Sequence, residues 1–337
     1  MYMFRLTWSL MEFVYTIAMK IPSHKPKIGV SACLLGENVR YDGGHFRDKW
    51  VSNHLAPHVD FHPVCPEMMM GLGSPREILR VIVDNDSGET SLIETKSKID
   101  HTQSINEASK KILSSMPELD GFILARKSPS CGVITAKHYN SKTGYADGKG
   151  AGLFAAQVLD SNFNFPTIDS GLLFETEYKD LFVKQVYAHF ELRKLVAKTS
   201  EIQRFHSEYK YLLMEHHPAL VKELGKLASK SDDEEKQKQD YMKSFMETIK
   251  NHRPTKKKRV NVYQHLLGYF KKDLSAKEKE NLLEKMEAYR QHKISYQTLL
   301  EVMDFLIDGH LDDRAKVYLK HQKLFKPYPE DLSPYKF

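Results

Sequence analysis

The chain has 337 residues, long enough for two domains and a substantial core, and 41% of them are hydrophobic. A wholly disordered or collagen-like chain is excluded. The formal charge is +6, and it is unevenly placed: from Lys198 onward there are 28 basic and 22 acidic residues, whereas the preceding part is balanced. A neutral domain followed by a mildly basic one that could meet a polyanion is the expected organisation. Three cysteines are too few for a disulfide framework, so their thiols are free for metal binding and a cytoplasmic setting is expected.

The first residues carry an apolar stretch, Leu6–Met19. Glu12 interrupts it, it is shorter than the roughly 20 residues of a spanning helix, and no small-residue cleavage site comes after it. Residues 1–25 are therefore expected to be an extension, or the product of a start assigned too far upstream with Met19 as the true start.

Lys27–Cys33 (KIGVSAC) reads as a buried strand opening into the glycine-containing loop LLGENVRYDGG. Val59–Cys65 (VDFHPVC) is a second strand-like run, leading into the loop PEMMMGLGSPRE. A β-branched run at Leu79–Val83 leads to a polar turn, DNDSGE. Residues 96–116 carry a helical pattern, and Gly121–Ala125 is an apolar strand that ends just before RKSPSCG. The stretch Gly144–Gly152, with GKGAG at its end, is expected to turn into the helix LFAAQVLD. Its likeness to a phosphate-binding loop is partial. Strands alternating with helices predict a Rossmann-like parallel α/β sheet over residues 26–175. From about Glu175 the pattern is helical, giving a connection over 176–199 and an all-α basic domain over 200–330. The charged stretch Ser229–Asp240 and the basic run Lys256–Arg259 are expected on connections or solvated ends, and His216 and His217 on the surface or at caps.

Cys33, Cys65 and Cys131 all fall at or just after the carboxyl end of a predicted strand. In an open parallel sheet, ligands bind in the crevice beyond those ends. Three thiolates there suit a soft centre, either zinc with an open position or an iron–sulfur cluster with one iron lacking a protein ligand. No local C-x-x-C pair occurs, and three remote cysteines fit a cluster held between loops. Glu67, two residues after Cys65, is the candidate general acid or base. Asp42 could act catalytically or cap a glycine turn. Lys127, Ser128 and Ser130 stand just before Cys131 and could grip a planar polar substrate, while Arg40 and Arg76 are candidate anion contacts. Met68–Met70 is expected to pack a loop. The aromatic residues Phe205, Tyr209, Tyr211, Tyr263 and Tyr269 have helical spacing that predicts core positions, with base stacking as the alternative.

Taken together, SACLLGENVRYDG, PVCPE, GLGSPRE and KSPSCG resemble the thiouracil desulfidase family over roughly residues 26–172. Residues 200–325 resemble a helical partner domain often fused behind it, an arrangement similar to bacterial desulfidases acting on 4-thiouridine in transfer RNA. The resemblance implies a 4Fe-4S cluster held by Cys33, Cys65 and Cys131, whose fourth iron takes the thiocarbonyl sulfur so that water can attack the carbon without net redox change. It also implies that Glu67 moves protons and that Lys127, Ser128 and Ser130 orient the pyrimidine, with Asp42 and Arg40 as weaker correspondences. The expected partner is transfer RNA carrying a thiolated uridine, held by phosphate contacts, with no membrane contact and homodimerisation left open. The alternatives are desulfuration of free thiouracil, a zinc-dependent nucleobase hydrolase, and a non-catalytic iron–sulfur sensor that binds RNA.

Overall fold

The computed structural model describes residues 25–336 except 162 and 230. The stretch Leu6–Met19 and the start proposed at Met19 lie outside the described residues. Strand β1 (Lys27–Ser31) is an apolar run in which Ile28 and Val30 are fully buried, and it opens into a short helical turn, Ala32–Leu35. Strand β2 (Asp60–Val64) ends at Cys65, which starts the short helix α1 (Pro66–Met69). Strands β3 (Leu79–Val83) and β4 (Thr90–Glu94) form a hairpin. The turn between them is set by Asp84, whose carboxylate accepts the Asp86 and Ser87 N–H groups. Helix α2 (Thr102–Ser115) and strand β5 (Gly121–Leu124) come next, then β6 (Ala136–Asn140), β7 (Ala146–Gly150), helix α3 (Leu153–Asp160) and β8 (Thr167–Asp169).

One sheet has the order β2-β1-β5-β8 and is parallel throughout. Residues Phe122, Ile123 and Leu124 of β5 are inaccessible, as a strand covered on both faces requires. The α/β expectation therefore holds, with one addition and two corrections. The addition is a second, mixed sheet, ordered β4-β3-β6-β7. The GKG of GKGAG is not a turn into the helix but the end of strand β7, antiparallel to β6. A Cβ on Gly150 would lie 2.5 Å from the His138 ring, so glycine here permits close strand approach. The helical pattern of 96–116 begins to form a helix only at Thr102, because Asp100 pairs with Ile93 and the Thr102 hydroxyl accepts the Leu92 N–H.

Beyond β8 the described residues contain no strand. Helix α4 (Thr176–Lys194) precedes α5 (Thr199–His216), α6 (Pro218–Leu227), α7 (Glu234–Asn251), α8 (Lys256–Leu267), α9 (Ala276–Arg290), α10 (Tyr296–His310) and α11 (Asp313–Lys320). Side-chain caps from Asp233, Thr255, Ser275, Ser295 and Asp312 start five of them. No described helix is long and apolar enough to cross a membrane. Phe205, Tyr209, Tyr211 and Tyr263 are buried in the helical core, and Tyr269 packs against it, so the core expectation for these aromatics holds.

The charged stretch Ser229–Asp240 lies as expected on a connection, up to its cap Asp233, and on a solvated helix end, the largely exposed first turns of α7 from Glu234. Two local expectations are corrected. The run Lys256–Arg259 opens α8, and Arg259 is buried, its guanidinium donating to the Tyr289 hydroxyl at 3.1 Å over the Tyr296 ring. His216 is not on the surface: it is buried, its Nδ1 is 2.7 Å from the His252 carbonyl, and burial pushes its pKa down to about 3.

Helix α4 belongs to both cores. Phe182, Val183 and Val186 pack against the parallel sheet, and Ala188 and Leu192 against the helices. It lies so close over β5 that a Cβ on Gly121 would meet Val186 at 2.7 Å. The junction is pinned by Asp120, which is inaccessible and accepts from the Lys27 N–H at 2.9 Å and from Arg193 at 2.8 and 2.9 Å, with His189 at 3.0 Å. Burial raises the Asp120 pKa, but these partners outweigh it and hold the carboxyl below its usual value. Stability from this group is therefore present above the unfolded carboxylate pKa and is lost as pH falls through the lower folded value. Asp120→Asn is expected to cost about 3 kcal/mol, because it leaves Arg193 and His189 without their anion. Chemical denaturation at pH 7 checks it, and an unchanged midpoint would contradict the role given to this junction.

Candidate metal centre and active site

Three neighbouring strands of the parallel sheet, β2, β1 and β5, deliver three cysteines to one edge. Cys33 comes after β1 in the Ala32–Leu35 turn, Cys65 caps α1 after β2, and Cys131 sits on the loop after β5. All three line one cavity of about 400 Å³, together with Glu67, Lys127 and Ser128. Gly36, at φ +106°, ends the Cys33 turn in the left-handed region, and the Cys33 carbonyl then accepts from Phe46 N–H at 3.0 Å, folding the intervening loop back over the cavity.

The Cys131 loop is fixed from two sides. The N–H groups of Gly152, Leu153 and Ala155, at the start of α3, donate to the carbonyls of Gly132, Pro129 and Ser130 at 2.8–3.1 Å. These amides are thereby consumed, which leaves the GKGAG segment no free helix N-terminus for a phosphate. A Cβ on Gly152 would lie 2.5 Å from the Pro129 carbonyl, so only glycine lets the loop dock there. On the other side Lys127, at φ +61°, donates its N–H to Thr135 Oγ1 at 2.7 Å, and Thr135 donates to buried Asp169 at 2.6 Å. Asp169 also accepts the Val133 and Gly171 N–H groups. It was not visible as a site residue in the sequence because it acts through Thr135, 34 residues away.

Glu67 is buried in the first turn of α1. Its Oε2 is taken twice by Arg76, through Nε at 3.0 Å and through a second, shorter contact, while Oε1 points to the Ser128 hydroxyl at 3.5 Å. Arg76 is saturated: it also donates to the Gly73 carbonyl at 2.7 Å and the Val39 carbonyl at 2.9 Å. Arg76 is thus a buried partner of Glu67 and not an open anion contact. Ser128 Oγ accepts the Ser130 and Cys131 N–H groups, which ties its position to the thiol loop.

Two expected residues stand elsewhere. Ser130 is fully buried outside the cavity lining, with no partner for its hydroxyl among the described residues. Asp42 sits exposed at a turn tip, accepting the Gly44 N–H at 3.1 Å and facing Arg40 at 3.4 Å, and the first of these contacts lowers its pKa. Its geometry is that of a turn cap. Arg40 itself lines the cavity. Met68 and Met69 are exposed on α1 and do not pack a loop interior.

The electrostatics of the thiols fit a cationic group. Burial pushes the Cys33 thiol up to about 12 and raises Cys65 and Cys131 as well, and the nearness of Cys65 raises both of the others further. Thiolates packed this way are stable only against positive charge. The donor set, three thiols on one cavity with no histidine in its lining, is of the soft kind that zinc and iron–sulfur clusters both take.

The comparisons with known proteins bear on this edge of the sheet. Residues 28–170 match the 2-thiouracil desulfurase family. The match spans 143 of the 337 residues, and this part of the chain is similar to that family. Residues 210–329 match a second family, described as DUF1722, a protein family of unknown function. The solved structure of TudS, a [4Fe-4S]-dependent thiouracil desulfidase, is 28% identical over 44% of this chain and 93% of its own, with a TM-score of 0.34. No curated protein compared with the chain matches it. The 2-thiouracil desulfurase match thus covers the parallel sheet, all three cysteines and Glu67, while the DUF1722 match lies within the helices beyond α4.

Proposed function

We propose that the desulfurase domain removes sulfur from a thiolated uracil by hydrolysis, using a [4Fe-4S] cluster held by Cys33, Cys65 and Cys131. The observation that carries this is the meeting of three thiols, Cys131 buried and Cys33 and Cys65 half-buried, with the buried carboxylate of Glu67 in one cavity of about 400 Å³. When bound, the cluster supplies a soft Lewis acid for a thiocarbonyl sulfur. The reaction breaks the C–S double bond and forms a C–O double bond from water, giving the oxo base and hydrosulfide with no electrons exchanged.

The protein's own groups handle the protons and the base. Glu67 offers Oε1, the oxygen that Arg76 leaves free, to accept a proton from the attacking water and return it to the departing sulfur. Ser128, hydrogen-bonded to that carboxylate, and Lys127, on the cavity wall, orient the polar edge of the pyrimidine. Arg40 faces the same space. Asp42, exposed at its turn, holds Arg40 rather than touching substrate.

The substrate proposed is 4-thiouridine in transfer RNA. It is supported by the fused helical part, which holds 28 basic against 22 acidic residues from Lys198 onward, a surplus that a free base would not use. The anaerobically purified protein, with iron and sulfide content measured, is mixed with transfer RNA bearing 4-thiouridine and separately with free 4-thiouracil and 2-thiouracil, while thio-base absorbance is monitored. Loss of the band in RNA with hydrosulfide release supports the full reading. Turnover of the free bases alone selects free thiouracil, and a colourless protein that leaves every band intact overturns the cluster. Binding to transfer RNA should weaken steeply with salt, by about 10³-fold between 50 and 200 mM if some six phosphates are contacted. A flat salt response would remove the RNA partner.

A further inference from the structure

The mixed sheet β4-β3-β6-β7 has one covered face and one open face. On the covered side Leu79, Val81 and Leu92 pack with Ile105 of α2 and Leu153 of α3. Side chains alternate along a strand, so Arg80, Ile82, Ile93, Lys137 and Tyr139 stand on the other side, where each is exposed or half-buried. Register sets them in rows. Arg80 pairs with Ile93 on β4, and Lys137 pairs with Lys149 on β7. Because Val81 pairs with His138, Arg80 and Lys137 lie side by side one step earlier. Three neighbouring strands, about 4.8 Å apart, thus carry Arg80, Lys137 and Lys149 in a line. The next row sets Ile82 beside Tyr139, and the Arg80 guanidinium lies 4.4 Å from the centre of the Tyr139 ring.

No carboxylate answers this line of cations. Among the described residues the side chains of Arg80, Lys137 and Lys149 form no hydrogen bond or ion pair. The acids at the borders of the sheet are engaged elsewhere: Glu77 accepts the Ser97 N–H at 3.0 Å, Asp84 holds its own turn, Asp86 pairs with Lys142, and Asp147 accepts from Asn140. Like charges directly opposite on paired strands destabilise a sheet, and Lys137 stands opposite Lys149. A polyanion laid along the row removes that repulsion. The row also lies at the end of the sheet that the cavity loops feed. Arg80 comes four residues after Arg76 and Lys137 six after Cys131, both of which line the cavity.

We infer that this open sheet face holds an unpaired stretch of RNA, with phosphates along the Arg80–Lys137–Lys149 row and a base stacked on Tyr139 beside Ile82. Surfaces that take single strands combine a cationic track for the backbone with an aromatic ring for the bases. A double helix could meet the cations but keeps its bases inside the stack, away from the ring. The inference rests on the reading of the substrate as RNA. It adds where the strand is held: on the mixed sheet, apart from the helical part of the chain.

The test is binding, which needs no turnover. Labelled octauridylate, which carries no thiolated base, and a short RNA duplex are titrated by fluorescence anisotropy into the anaerobically purified full chain over a range of salt. The single strand is expected to bind more tightly than the duplex. Replacing both lysines, Lys137→Gln with Lys149→Gln, should weaken single-strand binding about tenfold at low salt and flatten the slope of log K against log salt by about 1.4, the value for two lost phosphate contacts. Tyr139→Leu should weaken it about tenfold with the slope unchanged, and Tyr139→Phe should keep it. Iron content and melting temperature should hold in every variant, because none of these residues lines the cavity. Wild-type binding of octauridylate that survives both the double lysine variant and Tyr139→Leu overturns the sheet face and leaves the RNA reading standing. No binding of either RNA overturns both. A duplex bound as tightly as the single strand, or iron lost in step with binding, overturns the inference as well.

Discussion

Cys131→Ala is expected to leave a folded protein that binds neither iron nor acid-labile sulfide and turns over no thiolated base. Cys131 is 6% exposed and belongs to the apolar core around the sheet. As a small buried hydrophobe alone, its truncation would cost about 1 kcal/mol and leave the cavity working. As one of three thiolates it is a third of the donor set, so iron, visible absorption and activity fall together. Cys33→Ala and Cys65→Ala give the same loss from positions that are only half-buried, which separates a ligand role from packing. The measurement is iron and sulfide content beside the melting curve. A Cys131→Ala protein with full iron and full turnover would sink the three-thiolate centre.

The edge of the sheet was legible in sequence because its signals are local. Cys33 and Cys65 close strand-like runs and Cys131 follows one within a few residues, and glycine or proline punctuates the adjoining loop: Gly36 after Cys33, Pro66 after Cys65, Gly132 after Cys131. Such runs fix both strand and loop within a short span of chain. Glu67 was visible because it lies two positions from Cys65, on the same helical turn. The second sheet was not legible. Strand β7, ADGKG, has almost no β-forming side chains, and backbone pairing to β6 alone holds it in line. Contacts between distant segments were equally silent. Arg126 meets Phe46 and Phe174 across 80 and 48 residues, and Asp120 meets Arg193 across 73. No periodicity links those positions, so only folding brings them together. His216 misled for a related reason: a histidine beside a second histidine near a helix end resembles a cap, and its burial comes from α8 packing over it, with Lys258 donating to its carbonyl at 2.6 Å.

Glu67→Gln is expected to keep iron content and visible absorption while kcat falls about 10²- to 10⁴-fold, the usual loss when a positioned proton carrier is removed. The amide fills the same space and its oxygen can still accept from Arg76, so KM should move no more than a few-fold. Arg76 gives the complementary experiment. Its guanidinium spends two bonds on Oε2 and two on the Gly73 and Val39 carbonyls, which fixes which carboxylate oxygen faces Ser128. Arg76→Met removes that choice, and kcat should fall with iron retained. Arg76→Lys restores charge but not the fork, and should recover only part of the rate. A role confined to structure would instead lower iron content, melting temperature and kcat in parallel, and would show no ordering of lysine above methionine. Full kcat in Glu67→Gln would show that the proton moves through another group, with Lys127 and Ser128 the remaining polar side chains on the same wall.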